Sequence, residues 1–154
     1  MDALNLITKI EGMFVFDTNE NEIICQQINS PELNPNVLSD IMKEVTSENS
    51  LIFPFKNFLV TAYSLLSVGY LVVIGNENAN DILLSEFAST LSFFISDKLT
   101  KNTLSKLPLL FDEAVVNGFI VESDPDTLYS RISCVFENLK SHPTNFNQGI
   151  NQLN

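Results

Sequence analysis

The reactive side chains of this 154-residue sequence are one imidazole, two thiols and several closely spaced carboxylates. The imidazole is His142, followed by Pro143 in a run rich in Asn and Gln. A general base must be held within hydrogen-bond reach of the proton it takes, and an untethered tail gives His142 no such anchor. The thiols are Cys25 and Cys134. A nucleophilic cysteine needs a nearby positive charge or a helix N-terminus to lower its pKa. Both cysteines instead fall in apolar strand or helix contexts with no adjacent basic residue. Carboxylates pair at Asp112-Glu113 and at Asp124/Asp126. Adjacent helical residues point apart, so Asp112-Glu113 reads as a solvated face rather than an acid/base pair. Asp124 reads as a helix cap. The sequence shows no Cys/His cluster at metal-ligand spacing, no Gly-rich phosphate loop and no G-x-S-x-G. The expectation is therefore no catalytic residue, no metal site and no cofactor.

Those residues hang on a recognisable order of elements. Leu4 to Asn29 reads as a hairpin, with strands over Met13–Phe16 and Glu22–Ile28 around the turn-forming run Asp17–Asn21. Asn34-Pro35 is a cap followed by a first-turn proline. Val37, Leu38, Ile41, Met42 and Val45 then mark one face of a helix, with Asp40, Lys43 and Glu44 on the wet side. Leu51–Phe55, Phe58–Ser64 and Tyr70–Gly75 read as strands. Residues 57–76 carry no charge over 20 positions, the length of a membrane-crossing helix. Their dense β-branched and aromatic content, with Gly69 and several hydroxyls, favours two strands joined near Leu66–Gly69.

Asn78 to Leu99 reads as the longest helix, capped by Asn80 or Asn78. Its wide apolar face holds Leu83, Leu84, Phe87, Ala88, Leu91, Phe94, Ile95 and Leu99. Ile82 and Phe93 project together on the far side, among Ser85, Glu86, Ser89 and Ser96. They are the candidate contacts for a second chain. A further helix is expected to start near Pro108. Asn117-Gly118 is expected to end it at positive φ. Phe119-Ile120-Val121 then reads as a short run through the core, and Asp124-Pro125 opens a last helix with Leu128, Ile132, Val135 and Leu139 on one stripe.

Composition bounds the rest. Apolar residues make up 45%, which suits a single folded domain. Net charge is −11 with 8 Lys+Arg, so the basic footprint of a nucleic-acid binder is missing and an anionic membrane repels the chain. Membrane attachment is expected only indirectly, through a partner. Two cysteines fit a reducing compartment rather than a disulfide framework. Asp2, Lys9 and Glu11 interrupt the start, so no secretory signal is expected. One domain over 1–140 and a flexible Asn/Gln-rich tail over 141–154 complete the layout.

Two strands, a helix, three strands and then helices give an α+β fold with an antiparallel sheet of about five strands and helices packed on both faces. Within it, residues 112–131 carry a run of fixed types: Asp112, Glu113, Gly118, Glu122, Ser123, Asp124, Pro125 and Arg131. This run resembles the C-terminal signature of the coatomer zeta subunits, small longin-like chains related to the small subunits of clathrin adaptors. Glu77-Asn78 and Lys101-Asn102 are similar to further family motifs. The segment between Lys101 and Asp112 is shorter here than in the family, and the first hairpin turn lacks the family's Gly. The resemblance implies a longin-like fold and no chemistry. It implies a small subunit packed against the gamma-subunit trunk in the inner, cargo-facing layer of the coat, serving Golgi-to-endoplasmic-reticulum retrograde and intra-Golgi transport. Other coatomer subunits and an Arf-family GTPase would be met through the complex. The location implied is cytoplasmic, peripheral on Golgi membranes and coated vesicles. A sigma subunit of a clathrin adaptor, or a stand-alone longin-type tethering module, would share the fold and remains the alternative.

Overall fold

A computed structural model describes residues 7–48, 52–65, 69–98 and 106–132 of the chain. His142, Cys134, Val135, Leu139, Leu99, the Lys101-Asn102 pair and the 141–154 tail lie outside them.

Five strands, β1 (Ile10–Asp17), β2 (Glu22–Ile28), β3 (Ile52–Phe55), β4 (Phe58–Leu65) and β5 (Gly69–Asn76), form one antiparallel sheet in the order β2-β1-β5-β4-β3. The longest uncharged run is thus two paired strands, β4 and β5, whose link at 66–68 falls outside the described residues. No described helix is long and apolar enough to cross a membrane.

Turn chemistry sets the first pairing. The Asp17 carboxylate accepts from the Asn19 and Glu20 amides, and Asn21 takes a φ of 55°, which turns β1 back into β2. Alternation then sorts the side chains of the central strands onto two faces. Phe14, Val72, Ile74, Val60 and Ala62 face helix α1 (Pro35–Glu48), whose Val37, Leu38, Ile41, Met42 and Val45 are all buried. The Asn34 side chain caps α1 by accepting from the Val37 amide at 3.0 Å, as the sequence indicates.

The opposite face takes Met13, Val15, Leu71 and Val73 together with α2 (Asp81–Lys98), α3 (Leu107–Ala114) and the helix α4 at 125–132. Asn80 caps α2 through the Leu83 amide at 2.9 Å, and its own amide donates to the buried Thr8 hydroxyl. The α+β architecture, the five-stranded antiparallel sheet and the helices on both faces follow the sequence reading and are compatible with a longin-like fold.

One expectation is corrected here. Asn117-Gly118 does not end a helix. The helix stops at Ala114, and a second, two-stranded sheet follows: β6 (Val115–Val116) and β7 (Phe119–Ile120). Asn117 at φ 53° and Gly118 at φ 87° are the two turn residues between them. Two successive positive φ values match the right-handed strand twist and close a two-residue hairpin, so the same dipeptide serves a hairpin rather than a helix stop.

Candidate interaction surface

Of the 112–131 run, Glu113, Glu122, Asp124 and Arg131 are linked to one another, while Asp112 and Gly118 bond to the main sheet instead. Arg131 on α4 reaches Glu113 on α3 and Glu122 in the connecting segment, each at 3.5 Å. Glu122 also accepts from the Asp124 amide at 3.3 Å. The Asp124 carboxylate accepts from the Thr127 amide at 3.0 Å and the Thr127 hydroxyl at 2.8 Å. Those two bonds hold Asp124 below the usual carboxylate range. Pro125 takes the first helical position, where its missing N–H costs nothing. The Gly118 carbonyl accepts from the Ile10 amide at 2.6 Å, which ties the small hairpin to the start of β1. Each of these residues orders the path from α3 to α4.

Of the two thiols, Cys25 lies among the described residues. Cys25 is buried against the α3 side of the sheet, and desolvation together with the nearby Asp112 charge pushes its thiol up to about 11. Asp112 accepts from the Gln27 side-chain amide at 3.1 Å, so it positions α3 on β2. Among the described residues, no group of three or more His, Cys, Asp or Glu side chains gathers in a way that holds a metal ion.

Several large apolar side chains are exposed among the described residues. Ile82 is 66% and Phe93 is 73% accessible, the two most exposed large hydrophobic residues described. Eleven positions apart on α2, they project within about 20° of each other and lie about 16 Å apart along the axis. The buried residues Leu84, Phe87, Ala88, Leu91 and Ile95 occupy the opposite arc of the same helix. Glu86 and Ser89 fill the stripe between the two anchors and are also exposed. The sequence placement of Ile82 and Phe93 on an outward face therefore agrees with the structure. Leu83 does not agree. Assigned to the buried face, it is 46% exposed, because it sits about 100° from the centre of the buried arc, at its margin.

A second apolar patch was not anticipated. Phe119-Ile120-Val121 is expected to run through the core. Only Ile120 packs against it, while Phe119 and Val121 stay about half exposed. Val116 pairs directly with Phe119 across the hairpin, so Val116, Phe119 and Val121 share the outer side of β6–β7. The available signal was the N-G dipeptide between two apolar pairs, which announces a hairpin with one inner and one outer face. The inner face of the hairpin, not this patch, meets α2. Leu83, Glu86 and Thr90 meet Ile120 and Ser123 around a cavity of about 120 Å³. Tyr129 of α4 lies edge-on to Phe94 of α2, with ring centroids 6.2 Å apart.

Fold and surface together define an α+β domain whose most exposed apolar residues gather on the α2 side of the sheet. A scan against protein-family models gives no match to this chain, and a search of curated proteins gives none either.

Proposed function

We propose that this chain is a non-catalytic small subunit of a vesicle coat, of the coatomer zeta type, and that it docks on the gamma-subunit trunk through the outer stripe of α2. The observation that carries the reading is the pair Ile82 and Phe93, raised on one line opposite the buried arc of their helix. Burying a large apolar side chain is worth roughly 1.5–3 kcal/mol, so two such anchors supply a useful part of a protein–protein contact. The half-exposed Val116, Phe119 and Val121 of the hairpin offer a second apolar patch for the same large partner. The 112–131 run supports the reading in a second way, since its bonds fix the orientation of the hairpin and α4 next to that stripe. The acidic chain reaches the Golgi membrane through its partner and an Arf-family GTPase acting on the assembled coat, and it serves retrograde and intra-Golgi transport.

Phe93→Asp tests this. The side chain makes no contribution to the core, so circular dichroism and melting should stay as in the parent while the gamma subunit no longer co-purifies. A folded Phe93→Asp variant that retains the gamma subunit removes α2 from the interface. A parent chain that brings down an adaptor sigma-partner subunit instead of gamma moves the protein to the adaptor class.

A further inference from the structure

The two edges of the main sheet are built differently. β3 is a four-residue edge with Pro54 inside it and Lys56 directly after it, two features that discourage a further strand. β2 is a seven-residue edge with no proline; its only charge is Glu22 at its start, and a bulge at Ile24 leaves Cys25–Ile28 as the regular stretch. Among the described residues nothing pairs with its outer side.

The phase of that outer side can be read from the ladder. The Asn29 amide donates to the Glu11 carbonyl at 2.8 Å, in the same register as Met13↔Gln27 and Val15↔Cys25. In an antiparallel pair the hydrogen-bonded positions alternate, so the backbone groups of Gln27 and Cys25 point at β1. Those of Gln26 and Ile28, opposite Phe14 and Gly12, point away from it. The side chains of Gln26 and Ile28 fall on the α1 face, as the same alternation requires.

On that face α1 leaves a groove. A cavity of about 450 Å³ lies between β1–β2, with Phe16, Ile23 and Gln26, and the flank of α1, with Leu38, Ser39 and Met42. Apolar and polar residues share its walls about equally, with Leu33, Leu38 and Met42 at the α1 side, and it runs beside the open edge. The other face of β2 is closed, because the Gln27 side chain donates to the Val115 carbonyl and to Asp112 on the α3 side.

We propose that the β2 edge is a peptide-recognition site. An extended segment of a partner protein adds as a sixth strand, antiparallel or parallel, on the outward N–H and C=O groups of Gln26 and Ile28. It directs alternate apolar side chains into the groove beside Met42. This is strand addition, in which the main chain supplies affinity and a pocket for alternate residues supplies selectivity. The segment carries no net negative charge, since the chain itself is at −11; the groove presents Glu22 at the β2 side and Lys43, beside Asp40, at the α1 side, so a Lys or Arg of the segment is favoured at the Glu22 end only. The site is remote in sequence from the α2 stripe and independent of the coat reading.

The test uses the full chain and a displayed library of random twelve-residue peptides. Recovered binders should alternate apolar and polar residues and lack net negative charge. On adding such a peptide, amide exchange should slow at Gln26 and Ile28 and stay unchanged at Cys25 and Gln27, which already bond to β1. Gln26→Pro removes an outward N–H and the Gln26 side chain at the groove, touches no bond to β1, and should leave the fold intact while weakening binding at least tenfold. Ser39→Trp, at an exposed α1 position on the groove, should do the same by filling it, and it keeps the test valid should the proline variant unfold. Binders indifferent to both variants, or a library that yields none, overturn the proposal. So does protection of the Gln26 and Ile28 amides without peptide. Protection that grows with protein concentration would assign the edge to a second copy, and protection at all concentrations to another part of this chain.

Discussion

Gly118→Ala isolates the physics of the 112–131 run. Gly118 sits at φ 87° in the β6–β7 turn. A residue with a Cβ at positive φ costs roughly 1–2 kcal/mol. The added Cβ would also lie 2.8 Å from Lys9 Cγ and Cε and 3.0 Å from the Ile10 carbonyl oxygen. The lysine stem is flexible and swings away. The Ile10 carbonyl is backbone and is held by the adjoining hydrogen bond from the Ile10 amide to Gly118 itself. That crowding adds on the order of 1 kcal/mol. The expected loss is about 2–3 kcal/mol, which lowers the melting temperature of a domain this size by roughly 5–10 °C. Urea or thermal unfolding followed by circular dichroism measures it. Adding Lys9→Ala should restore little, because the strain resides in φ and in the backbone contact. A melting temperature within about 2 °C of the parent would refute the account of the turn, and full rescue by Lys9→Ala would shift the cause to the side chain.

Three other perturbations probe neighbouring features. Arg131→Ala breaks two half-exposed ion pairs at 3.5 Å, so the expected cost is only about 0–1 kcal/mol and shrinks further in high salt; a loss that salt does not change would contradict a surface pairing. Asp124 is stabilised as the carboxylate, so its contribution is present above the ordinary carboxyl pKa and disappears as pH falls through its lower folded value; Asp124→Asn keeps a capping oxygen and should flatten the acid limb of a stability–pH curve. Cys25 should stay a thiol at neutral pH and resist iodoacetamide until denaturant is added, as peptide mapping of the alkylated chain would show.

The sequence carried the order of elements up to α3, because the boundaries there are written in local chemistry. Asn34, Asn80 and Asp124 cap the helices they precede, and Asp17 closes the first hairpin. The apolar periods of α1 and of the strands needed only their own spacing to show which residues turn inward. Spacing also sufficed to raise Ile82 and Phe93 on the outer side of α2. It did not settle Leu83, whose exposure depends on how wide an arc the sheet covers, or Asn117-Gly118, whose positive φ values suit a helix stop and a hairpin turn equally well. Only the fold decided between those two, by placing Ile10 where its amide meets the Gly118 carbonyl and the hairpin can dock. The same docking leaves Phe119 and Val121 half in water, although their composition suits a core. The open β2 edge is likewise a tertiary fact. A strand's neighbours are chosen across long sequence separations, so its own residues do not reveal whether one side is left without a partner.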